Sequence, residues 1–117
     1  MTLEPLELAR HIADAIAEKK GEDTILLDIR DVSLIADYFI ISSVASDRQK
    51  RAIVNEITAS TKHSLGVRPL HVEGDATSDW ILLDYGSVVI HLFSHEARRY
   101  YDLEGLWRDG KIIVRIQ

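Results

Sequence analysis

Residues 80–93 constrain this fold most. Two apolar runs, WILLDY and VVIHLF, flank Gly86-Ser87. Short runs rich in Val, Ile and aromatic residues are strand formers. A Gly at the first central position suits a type II′ turn, whose twist matches that of paired strands. That turn fixes the register: Tyr85 faces Val88, Asp84 faces Val89, Leu82 faces His91 and Trp80 faces Phe93. One face of the hairpin then carries Ile81, Leu83, Tyr85, Val88, Ile90 and Leu92, and is expected to pack on helices. The other carries Trp80, Leu82, Asp84, Val89, His91 and Phe93. It is apolar but holds an Asp and a His, which a dry core rarely accepts unpaired.

The rest of the chain alternates helical and extended patterns. Leu6, Ala9, Ala13, Ile16 and Ala17 predict an amphipathic helix over residues 3–19, with Thr2 at the N-cap and Gly21 at C′. Residues 24–30 and 38–43 read as strands, connected through Asp31, Val32 and Ser33. Ser46 and Gln49 have capping-box spacing, and Ile53, Ile57, Thr61 and Leu65 form a helical stripe that Gly66 ends. Residues 69–73 read as a short strand beginning at a proline, which favours an edge or an entry position. Ser94 is expected to cap a last helix through about Trp107. Ile112, Val114 and Ile116 alternate, so residues 111–117 suit a terminal strand. The expected order is α-β-β-α-β-β-β-α plus that strand. At 117 residues this is one α/β domain, 1–117, a mixed β-sheet with helices packed on it.

Composition removes several function classes. There is no cysteine, so disulfides, thiolate metal sites and thiol catalysis are excluded. No apolar run approaches 18 residues, and the first 20 carry no signal-peptide pattern, so a soluble cytoplasmic protein is the default expectation. The net charge of −5 disfavours phosphate-backbone binding as the dominant activity and suits a basic protein partner.

Catalytic signatures are sparse. His95-Glu96 begins an HExxH-like string, but Arg99 stands where the second His belongs. His91 and His95 fall on a strand and a helix start, which do not share a face, and Asp28, Asp31 and Asp37 are irregularly spaced; no metal or cofactor is expected. Asp84 beside His91 suits an acid–base pair less well than a hydrogen-bonded His at the sheet edge. Ser42-Ser43 ahead of a helix gives a weak nucleotidyltransferase signal, weakened further because Asp84 has Leu82 and Gly86 two residues away, where a second carboxylate would be needed. Arg48, Lys50 and Arg51 read as a solvated helix face. Arg98 and Arg99, next to Tyr100 and Tyr101, read as surface residues pairing with Asp102 and Glu104. Trp80 suits a core position and an interface anchor about equally.

Three ordered segments carry a family likeness: DIRDVSLIADYFIISS at residues 28–43, EG followed by WILLDYGSVVIHLF at 73–93, and RRYYDLEGLW at 98–107. Together they resemble the ribosomal silencing factor, or Iojap, family over about residues 5–107, leaving 108–117 as a C-terminal extension. The resemblance implies a nucleotidyltransferase-like topology without catalysis. It implies binding to the large ribosomal subunit through its universal ribosomal protein fourteen, blocked subunit joining, translational repression, and a homodimer when free. Carried over by motif, the partner-binding residues are Trp80, Asp84 and Tyr85 of WxxxDYG, His91 of VxH, and Arg98, Tyr101 and Glu104 of RxxYDLE, a motif that Leu103 also matches. Val44 and Ser87 depart from the pattern, which usually has Gly and an acidic residue there. A binding module acting by steric exclusion is therefore preferred over a nucleotide- and metal-binding enzyme.

Overall fold

The computed structural model describes residues 3–116. Thr2, the expected N-cap, and Gln117 lie outside the described residues. The elements are α1 (Pro5–Glu18), β1 (Glu22–Asp28), β2 (Tyr38–Val44), α2 (Asp47–Ser60), β3 (His71–Glu73), β4 (Trp80–Asp84), β5 (Val88–Ser94), α3 (His95–Tyr101), α4 (Leu103–Leu106) and β6 (Lys111–Ile116). They form a single α/β domain around one mixed sheet of order β3-β4-β5-β2-β1-β6. Only β2 and β5 run parallel; the other neighbours are antiparallel.

β2 is central, and all seven of its residues are buried. That explains its unbroken YFII run, because a strand covered on both faces has no reason to alternate. Its two serines are buried too, and both are satisfied. Ser42 Oγ lies 2.8 Å from Thr24 Oγ1, and Ser43 Oγ accepts from Arg98 at 3.0 Å.

The hairpin has the expected register, with Trp80 opposite Phe93, Leu82 opposite His91 and Asp84 opposite Val89. Gly86 takes φ +89°, as the first central position of a II′ turn requires. Ile81, Leu83, Tyr85, Val88, Ile90 and Leu92 pack with Ile12 and Ile16 of α1 and Ile53 and Ile57 of α2. On the opposite face Phe39 and Phe93 pack with Ala97, Leu103 and Trp107. This second cover is partial: β4 alternates between buried Ile81 and Leu83 and half-buried Trp80, Leu82 and Asp84, and β3 is exposed throughout.

Five local expectations need correction. The helix α1 begins at Pro5 with Glu4 at its N-cap. At its other end the left-handed C′ residue is Lys20, φ +63°, rather than Gly21. Lys20 and Gly21 donate to the carbonyls of Ala17 and Ile16 at 3.0 Å each, which is a Schellman closure one residue early. Gly21 is needed for space instead: a Cβ there would sit 2.4 Å from Ile16 Cγ2 and 2.7 Å from Ser42 Oγ.

The capping box of α2 is shifted. Ser46 Oγ accepts from Gln49 N at 3.1 Å, but the Gln49 side chain reaches Ala45 N at 2.7 Å and donates to the Lys20 carbonyl at 2.7 Å. The stripe of α2 continues through a π turn, Thr61–Leu65, to Gly66 at φ +69°. Lys50 does not belong to the solvated face. It is 4% exposed, and its Nζ donates to the Ser78 carbonyl at 2.7 Å, holding the 74–79 loop to α2.

The last helix is two. Asp102 adopts φ 44°, ψ 53°, and its carboxylate caps α4 by accepting from Gly105 N at 3.3 Å. Asp tolerates the left-handed region better than most residues, so the chain turns there without glycine.

Candidate functional site

Aromatic side chains run through the second sheet face, with Phe39, His91 and Phe93 buried and Trp80, Tyr101 and Trp107 reaching the surface at its partly covered side. The Trp80 ring lies 4.9 Å from Phe93 and 4.9 Å from Tyr101, and the Phe39 ring lies 4.6 Å from His91 and 5.4 Å from Trp107. Such centroid separations are those of mutually attractive rings. Trp80 is half-buried and Tyr101 is 47% exposed. The Trp80 indole N–H donates to His91 Nδ1 at 3.1 Å. Because Nδ1 accepts, the ring hydrogen of neutral His91 resides on Nε2, a buried atom with no hydrogen-bond partner among the described residues. Burial pushes the His91 pKa down to about 4, so the imidazole is neutral near pH 7. The neutral ring is what can accept from the indole, so His91 fixes the pose of Trp80.

Asp84 lies on the same face, at the hairpin end. Its Oδ1 accepts from Gly86 N at 2.7 Å, so one carboxylate oxygen supports the turn. It does not pair with His91, whose partner is Trp80. Tyr85 lies on the opposite face, buried against α2. The Thr61 hydroxyl donates to the Ile57 carbonyl at 2.9 Å, which leaves Tyr85 the donor in its 2.9 Å bond to Thr61. Burial raises the Tyr85 pKa.

Arg98 is a correction to the surface reading of α3. It is 7% exposed. Its guanidinium donates to Glu104 at 3.0 and 3.2 Å, to the Asp23 carbonyl at 2.6 Å and to Ser43. This fork pins α3 and α4 onto the ends of β1 and β2. It floors an open cleft of about 370 Å³ that Glu22, Ser43, His95, Asp102 and Glu104 also line. The cleft is where the Ser42-Ser43 nucleotidyltransferase reading would place chemistry, and both hydroxyls are committed to internal bonds. Among the described residues, no three His, Cys, Asp or Glu side chains are placed to hold a metal ion. No helix among them is long and apolar enough to cross a membrane.

The motif residues therefore divide into three groups. Trp80, His91 and Tyr101 are contiguous, with Asp84 further along their face; Tyr85 lies behind the sheet; Arg98 and Glu104 form the strut. Phe39, Phe93 and Trp107 complete the aromatic face and were not singled out as site residues. Phe93 had a signal, since the hairpin register places it opposite Trp80. Trp107 had none, because its approach depends on the break at Asp102.

Fold and face together define an α/β domain whose distinctive feature is an aromatic, half-covered sheet surface. The family model described as "Ribosomal silencing factor during starvation" matches residues 2–117, which takes in β6. The chain is 40% identical over 100 residues to the ribosomal silencing factor RsfS of Bacillus subtilis, covering 86% of this chain and 84% of that one. It is 32% identical to the mouse protein named mitochondrial assembly of ribosomal large subunit protein 1, over 82% of this chain and 43% of that one. A crystal structure of a Chromobacterium violaceum protein superposes with TM-score 0.84 at 32% identity, covering 90% of this chain and 87% of that one. The chain belongs to the ribosomal silencing factor family.

Proposed function

We propose that this chain binds the large ribosomal subunit in the cytoplasm through its universal ribosomal protein fourteen. While bound, it keeps the small subunit from joining and so represses translation. The observation that carries this reading is the half-covered face at Trp80. A rigid aromatic held by His91, Phe93 and Tyr101 has the features of an interface anchor, and family membership directs it to the ribosome. In this reading Trp80, Tyr101 and Asp84 touch the partner. His91 positions Trp80, while Tyr85, Arg98 and Glu104 hold the face in shape. The action needs a surface and mass, and no reaction.

When free, the chain forms a homodimer. Leu34, Ile35, Leu106 and Ile112 are 106, 74, 76 and 53% exposed. Their segments meet at one corner of the sheet, where Lys111 Nζ lies 3.9 Å from Asp31, and exposed apolar clusters of this kind mark interfaces. Sedimentation equilibrium showing only monomer at high micromolar concentration would overturn this.

The test of the main reading is subunit joining followed by sucrose-gradient sedimentation. Wild-type chain should co-migrate with large subunits and suppress the joined ribosome. Folded Trp80→Ala should lose at least ~2 kcal/mol of binding, the scale of a hot-spot residue, and should no longer suppress joining. Co-migration with isolated small subunits instead would refute the reading.

A further inference from the structure

A second surface lies on the outward side of α2. Arg48, Arg51, Asn55, Ala59 and Lys62 recur at three- and four-residue spacing, and all are exposed. They share the helix side opposite Ile53 and Ile57, which are fully buried. From Arg48 to Lys62 the row runs about 21 Å. Beyond it Lys62, His63 and Arg68 line a groove of about 590 Å³ with Asn55 and Pro69.

Among the described residues, no carboxylate lies within ion-pair distance of Arg48, Arg51, Lys62 or Arg68. The acids nearby point elsewhere or are engaged. Asp47 pairs with Lys50 at 3.2 Å. Glu56 lines the groove on the α1 side with His11 and Asp14. Asp75, near Arg51, accepts from the Thr77 hydroxyl at 2.6 Å and its N–H at 2.9 Å. A chain of net charge −5 thus gathers cations without partners into one row.

We infer that this row engages the phosphate backbone of ribosomal RNA beside the protein partner; the inference rests on the proposed docking to the large subunit. Phosphate suits the row better than a protein surface does. The row itself offers guanidinium and ammonium groups, the donors phosphate takes, and the exposed apolar residues near it, Leu70 and Val72, lie before and on the edge strand β3 and not along the row. Its position also fits. Arg51 and Gly74 line one groove, and a Cβ on Gly74 would sit 2.8 Å from the Trp80 carbonyl. The row lies on the α2 side of the sheet and the aromatic face on the other side. The Arg51 end of the row reaches the β3–β4 edge between them, and around that edge one docked chain can touch protein with one surface and RNA with the other. The overall acidity keeps such binding subordinate: the row adds to a docked complex and does not make a general RNA binder.

The test compares wild type with the triple variant Arg51→Gln, Lys62→Gln, Arg68→Gln. All three side chains are exposed, and circular dichroism and thermal melts check that the fold is kept. Affinity for purified large subunits is measured across a salt series, and affinity for isolated universal ribosomal protein fourteen in parallel. The expected result is about tenfold or more weaker subunit binding at low salt, with a log–log salt slope shallower by about three. Binding to the isolated protein should stay unchanged. Equal subunit affinity and slope would overturn this inference and leave the proposed function standing. An equal loss on the isolated protein would assign the row to a protein contact and overturn it too. Failure of wild type to bind large subunits would overturn both.

Discussion

Trp80 and His91 are joined across the hairpin by an indole N–H to imidazole Nδ1 bond of 3.1 Å, and the bond requires a neutral imidazole. Stability should therefore follow the charge of His91. Its pKa is lowered from 6.5 to about 4 by burial, so between these values the unfolded chain binds the extra proton. Stability is fully present above about pH 6.5 and is lost as the pH falls toward 4, by about 3 kcal/mol for the full shift. Urea melts from pH 7 to 4.5 measure this. His91→Phe should flatten the dependence in that window.

His91→Phe also removes the acceptor for the indole. The loss should be about 1–2 kcal/mol at pH 7, because a half-buried donor regains water only in part. Trp80 emission in a Trp107→Phe background should shift as the ring loosens. An unchanged spectrum and affinity would mean that Phe93 and Tyr101 alone fix the pose.

Adjacent positions after α1 should respond in opposite directions. Lys20→Gly relieves a left-handed lysine and should stabilise by up to about 1 kcal/mol. Gly21→Ala forces a methyl against Ile16 and Ser42 and should destabilise by about 1–3 kcal/mol. Chemical melts of the two variants check both signs.

Asp84 separates turn support from partner contact. Asp84→Ala removes the acceptor for Gly86 N and should cost about 1 kcal/mol of folding. Asp84→Asn keeps an oxygen in the same place and should fold nearly as well. If its charge also meets the ribosome, the Asn variant should lose large-subunit affinity by about 1.5–3 kcal/mol. Unchanged co-sedimentation would confine Asp84 to the turn.

Arg98→Ala should cost about 3–5 kcal/mol, since it leaves Glu104 without its partner and the Asp23 carbonyl without its donor. Arg98→Lys should recover only part, because one ammonium cannot serve carboxylate, carbonyl and hydroxyl with the geometry of the fork. Thermal melts rank the series.

The parts of the fold that are local in sequence were legible. The hairpin register followed from Gly86-Ser87 and alternation, and its helix-facing side from the row Ile81, Leu83, Val88, Ile90. The N-cap at Ser46 and the edge position of residues 71–73 were readable for the same reason. The pairing of Arg98 with Glu104 was legible, but Lys50 and Arg98 were misread as surface residues because burial of a cation depends on distant carbonyls, those of Ser78 and Asp23, that no spacing rule connects to it. The break at Asp102 lay inside an otherwise helical pattern. At the site, Trp80 and Phe93 were paired by register, but the approach of Tyr101 and Trp107 depends on how α3 and α4 cross the sheet. Tyr85 shows the limit of motif adjacency: one residue from Asp84, it faces the other way.

The central parallel pair has a consequence for synthesis. β2 ends at Val44 and its neighbour β5 at Ser94, fifty residues later. At ~5–20 residues per second a ribosome takes about 3–10 s to make that span. For that interval a nascent β1–β2 pair presents the inner edge of β2, an apolar row of unpaired amides and carbonyls, to whatever surrounds it. The strand that ends with every residue buried is thus one whose inner edge must be shielded for fifty residues while the chain is being made.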